Sequence, residues 1–123
     1  MSIITGMKKA IKIDAHNRTI TEVEVDGLTD MQAVVEGNIE VATEIVFKKQ
    51  TESVYVNEEG LFEPHNDWFV WKGAHQPFKG NGLVIGFKPS TGDSCSTKMT
   101  VADVQNFVKF VDASKVAEIA EMV

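Results

Sequence analysis

A chain of 123 residues, 43% hydrophobic and 24% charged, has the make-up of one ordered domain and lies well away from the low-hydrophobicity, high-charge signature of disorder. A formal net charge of −6, with Arg18 the sole arginine, argues against a phosphate-binding surface, since nucleic-acid affinity rests on Lys and Arg releasing counterions. The apolar runs fall short of the roughly 18 residues that span a bilayer, and Cys95, the single cysteine, excludes an internal disulfide or a cysteine metal cluster and fits a reducing cytoplasm.

Ile11 and Ile13 alternate with Lys12 in the period of a half-buried strand, and His16-Asn17-Arg18 reads as a turn. Beyond it Val23 and Val25 alternate with Glu22, Glu24 and Asp26, which predicts a second strand and a hairpin. Thr29 suits the N-cap of a short helix over Asp30 to Glu36, with Gly37 supplying the left-handed residue that closes it. Ile39 to Phe47 is rich in β-branched residues, and Ser53 to Val56 follows closely enough for an antiparallel return. Asn57-Glu58-Glu59-Gly60 reads as a turn with Gly60 free to take positive φ. Lys79-Gly80-Asn81-Gly82 is a turn signal feeding the apolar run Leu83 to Phe87, which has the character of a central strand. Near the C-terminus, Thr100 and Asp103 have capping-box spacing. Val101, Val104, Phe107, Val108 and Val111 then repeat at three and four, the pattern of an amphipathic helix, and Ser114 opens a second short one. The expected fold is α+β: a mainly antiparallel sheet with a short helix after the second strand and one or two C-terminal helices.

The stretches MKKAIKID (Met7–Asp14), VEVDGL (Val23–Leu28), Met31-Gln32, IEV (Ile39–Val41), YVNEEGL (Tyr55–Leu61), GNGLVIG (Gly80–Gly86) and PSTGD (Pro89–Asp93) occur in this order along nearly the whole chain. They resemble an uncharacterised family of small proteins from phages, prophages and bacterial mobile elements, catalogued as a domain of unknown function. The resemblance begins at Met7, so residues 1–123 are read as one domain with 1–6 as an N-terminal extension. It implies an accessory gene acting in a bacterial cytoplasm, a setting in which small proteins bind and inhibit host or defence components. It brings no catalytic residues.

The residues themselves show no convergent acid, base or nucleophile, and the expected function is non-enzymatic binding. His16, His65, His75 and Cys95 fit no metal-ligand spacing, so neither a metal nor another cofactor is expected. Gly80 and Gly82 precede a strand instead of opening a helix, the wrong order for a phosphate loop. The acidic stripe of Glu22, Glu24 and Asp26 reads as a solvated strand face. The candidate binding residues are the aromatic segment Trp68, Phe69 and Trp71, with His65 and His75 flanking it, and Tyr55 and Asn57 in the most distinctive landmark. The expected partner is a host or phage protein. A nucleotide-type small ligand held at an aromatic-lined interface of a homo-oligomer is the alternative within the binding class, and a small enzyme without a recognisable motif is the alternative outside it. Neither a membrane nor a nucleic acid is expected as partner.

Overall fold

Leu83, Val84 and Ile85 are all buried, so the strand that carries them needs cover on both faces and neighbours on both edges. The computed structural model, which describes residues 6–112, supplies all of these. The central strand is β7 (Gly82–Lys88); β1 (Lys8–Asp14) and β4 (Gln50–Asn57) flank it, and β2 (Thr19–Val25) and β3 (Ile39–Phe47) lie outside them, giving the order β2-β1-β7-β4-β3. A short β8 (Asp93–Cys95) pairs with the far end of β7, and each of these pairings is antiparallel.

Strand alternation divides the core in two. Ala10, Val25, Leu83 and Ile85 face α1 (Gly27–Val35), which contributes Met31 and Val35. Ile11, Ile13, Val54, Val56 and Val84 face the other way, onto Phe69, Trp71 and Phe78 of a second, three-stranded sheet and onto Val104 of α2 (Val101–Gln105). That second sheet has the order β6 (Phe78–Lys79), β5 (Asp67–Trp71), β9 (Val108–Asp112). Gly82 is required where the layers meet, because a Cβ there would lie 2.8 Å from Phe69 Cζ. At the opposite end of β4 the fully buried Glu52 accepts hydrogen bonds from Thr97 Oγ1 (2.5 Å), Gln50 Nε2 (2.8 Å) and the Lys98 N–H (3.0 Å), which ties the segment after β8 to the sheet.

The fold is α+β and mainly antiparallel, and four local expectations are corrected. The first helix begins at Gly27, its N-cap is Asp26, and Thr29 lies inside it. Its left-handed closing residue is Glu36 (φ 65°), not Gly37. Gly37 is needed for space, since a Cβ would lie 2.5 Å from the Asn57 side chain. Likewise Gly60, which opens the 3-10 turn Gly60–Phe62, is absent from the positive-φ glycines and instead sits against Lys79, whose carbonyl oxygen would be 2.8 Å from a Cβ. The largest difference is at the C-terminal stripe. Thr100 and Asp103 do form the capping box, but the helix they cap ends at Gln105, and Val108 to Asp112 is a strand paired with β5. The apolar stripe fits either element, and the open edge of β5 decides the outcome. Its unpaired N–H and C=O groups are satisfied by residues 108–112, among which Val108, Phe110 and Val111 carry strand propensity as well. The second short helix expected from Ser114 lies outside the described residues.

Among the described residues no helix is long and apolar enough to cross a membrane.

Candidate functional site

The turn between β1 and β2 is built by its own polar residues. Asp14 Oδ1 accepts from the Asn17 N–H and Oδ2 from Asn17 Nδ2, both at 3.0 Å, and Arg18 takes φ 55°. Burial opposes ionisation of Asp14, but these hydrogen bonds and the nearby Lys12 hold its carboxyl below the usual range. The turn places His16 at the rim of the sheet.

Gly80 and Asn81 then draw three distant segments together around that histidine. The Gly80 N–H donates to the Asp67 carbonyl at 2.8 Å, so the start of β5 lies beside the β6–β7 turn. Gly80 adopts φ 93°, a conformation that an L side chain rarely takes. Asn81, 3% exposed, accepts from the Ala15 N–H at 2.9 Å and donates to the Val34 carbonyl at 3.4 Å. The β1–β2 turn and the end of α1 are thereby held against one amide side chain, and the start of β5 against the neighbouring Gly80 N–H.

Four side chains meet as a result. His16 Nδ1 lies 2.7 Å from Asp67 Oδ2, and His16 Nε2 lies 2.8 Å from Glu36 Oε1. His65 Nδ1 is 3.7 Å from the same Asp67 oxygen, and the two imidazole rings stand edge to face at 4.4 Å. The hydrogen bond to Asp67 above all raises the pKa of His16; burial opposes this, and Glu36 adds to it through a hydrogen bond and its charge. The rings line a cleft of ≈ 300 Å³ together with Glu36, Asn57, Glu63 and Lys79.

The residues singled out from sequence are dispersed. His65 belongs to the cluster, whereas His75 is exposed in the loop between β5 and β6 and lies outside it. Phe69 and Trp71 are fully buried between the sheets, Trp71 stacked on Phe107 at 4.9 Å, so they are core residues and do not form a surface contact. Trp68 points the other way, half-buried, with the Lys79 ammonium 5.9 Å from its ring. Tyr55 lies on the α1 side of the sheet, where it lines a second cavity of ≈ 530 Å³ with Leu28, Met31 and Ile39. Asn57 pins the backbone: its Nδ2 donates to the Glu36 carbonyl at 3.0 Å and its Oδ1 accepts from the Glu59 N–H at 2.8 Å.

Sequence reasoning missed Asp67 and Glu36 as neighbours of His16, because the residues are separated by 51 and 20 positions and fit no local motif. Beside the cleft, the 3-10 turn carries Leu61 and Phe62, which are 70% and 87% exposed. No curated protein and no solved structure is detectably similar to the chain. A family model described as a domain of unknown function (DUF3846) matches residues 7–109, most of the chain, and the protein belongs to that family.

Proposed function

We propose that this protein is a non-enzymatic accessory protein of a phage or mobile element that binds a host or phage protein in the bacterial cytoplasm, as a counter-defence inhibitor does. The observation that carries the reading is the exposure of Leu61 and Phe62 on an ordered turn. The turn is anchored on one side by buried Gly60, whose Cβ position is filled by the Lys79 carbonyl, and by the Lys79 ammonium, which donates to the Glu63 carbonyl at 2.6 Å. Two adjacent large apolar side chains exposed to water gain by burial against a partner, at about 25 cal/mol per Å² of apolar surface covered. Polar groups of the cleft border them, the arrangement of an apolar anchor with a polar rim. The phage setting is supported by the family landmarks, YVNEEGL among them, which ends on Leu61 itself.

The test is affinity capture from phage-infected and uninfected bacterial lysates with the wild-type chain and a Leu61→Ser/Phe62→Ser variant as baits. A protein retained by the wild type and lost with the variant, at unchanged circular dichroism, is the expected result. Identical retention by both baits refutes this surface as the contact.

A further inference from the structure

His16 comes from one place in the chain and His65 and Asp67 from another, yet their ligand-type atoms all lie within 4.8 Å of one another, with both imidazoles lining the cleft. We propose that they form a binding site for one divalent transition-metal ion of the zinc type, with His16 Nδ1, His65 Nδ1 and Asp67 Oδ2 as ligands.

Two nitrogens and one carboxylate oxygen are a donor set that zinc and cobalt(II) accept readily. Atoms bound to one tetrahedral ion at about 2.0–2.2 Å lie about 3.3 Å from each other. The observed separations from Asp67 Oδ2, 2.7 Å to His16 and 3.7 Å to His65, bracket that value, and the two histidine nitrogens lie within 4.8 Å of each other, so the imidazoles draw together by up to about 1.5 Å to admit the ion. The ion takes the place of the proton shared by His16 and Asp67. His65 Nδ1 accepts a long hydrogen bond, 3.4 Å, from the Asp67 N–H, and the ion displaces this contact when it takes the nitrogen's lone pair.

The outer shell is also in place. Ligating histidines commonly donate their second ring N–H to a carboxylate, which fixes the tautomer and orients the ring. Glu36 Oε1, 2.8 Å from His16 Nε2, occupies that position. Glu36 is itself fixed at the backbone, its carbonyl held by Asn57 Nδ2. Asp67 is held by strand pairing in β5 and by the Gly80 N–H on its carbonyl. Three protein ligands leave a fourth position for water or for a donor atom entering from the cleft, the arrangement of an open metal site. The absence of a recognisable spacing motif reflects only the distance between the contributing segments in sequence.

The experiment is titration of the chelator-treated full chain with cobalt(II), read by the visible d–d absorption of a tetrahedral site, and with zinc, read by calorimetry. The expected result is saturation at one ion per chain for the wild type and for His75→Ala, whose histidine is exposed elsewhere. His65→Ala, with a partly exposed side chain whose loss the fold tolerates, abolishes the tetrahedral spectrum, as does the near-isosteric Asp67→Asn. Glu36→Gln weakens binding by about tenfold to a hundredfold while keeping one ion per chain. Absence of saturable binding in the wild type overturns the proposal. So does a cobalt spectrum that survives His65→Ala and Asp67→Asn, or one lost equally in His75→Ala.

Discussion

Asn81→Ala tests the hub on which the candidate site depends. The substitution removes the acceptor for the Ala15 N–H, a bond of 2.9 Å in which Ala15 is 2% and Asn81 3% exposed. A buried donor left without a partner costs about 1–3 kcal/mol. Water reaches this one only through the small space the amide vacates, so the upper half of that range applies. The donated contact to the Val34 carbonyl is long, 3.4 Å, and contributes less than about 1 kcal/mol. The sum is about 3 kcal/mol. For a chain of this length the unfolding entropy converts that into a fall of about 12 °C in Tm, and a urea slope of about 1.5 kcal/mol/M gives a midpoint lower by about 2 M. Thermal and urea unfolding followed by tryptophan fluorescence read both quantities. Amide hydrogen exchange provides a local check, with the Ala15 N–H losing protection before the central strand does. A Tm within about 2 °C of wild type, with Ala15 still protected, would refute the assignment of Asn81 as the hub.

The two tryptophans should separate cleanly. Trp71→Ala, at a position with no exposure and a stacked Phe107, is expected to lose roughly 3–5 kcal/mol in urea unfolding; half-buried Trp68→Ala is expected to lose less than about 2 kcal/mol, and equal losses would contradict the layered packing. Thr100→Ala should cost about 1 kcal/mol by removing the acceptor of the Asp103 N–H, and an unchanged midpoint would place the cap elsewhere. Asp103 pairs reciprocally with the cap: the Thr100 N–H donates to its carboxylate at 2.9 Å and, with the contact to the Thr100 side chain, holds its pKa below the usual aspartate range. A depressed folded pKa stabilises the fold above the unfolded value near 3.8, and that contribution is lost as pH falls through the lowered folded pKa. An NMR titration placing the Asp103 midpoint at or above the ordinary aspartate value would show that the box does not form in solution.

Local periodicity made much of the scaffold legible. Strict alternation located β1 and β2, the β-branched run 39–47 located β3 at its observed limits, and the uninterrupted apolarity of Leu83 to Phe87 marked a strand covered on both faces. Each is a property of a few consecutive residues, set by steric preference and by which side chains leave water. The stripe from Val101 to Val111 was not decidable in that way, because its spacing serves a helix and its composition a strand, and only the unpaired edge of β5 distinguishes them. The glycines at 37 and 60 announced turns, but the reason for them is the close approach of Asn57 and of the Lys79 backbone, neighbours that no local pattern names. The same holds for the candidate site. Sequence supplied the histidines and the turn that carries His16. Tertiary structure alone brought His16 onto Asp67, 51 residues away, because Gly80 and Asn81 hydrogen-bond to backbone groups from three separate segments, and contact between side chains is fixed by that assembly instead of by their spacing along the chain.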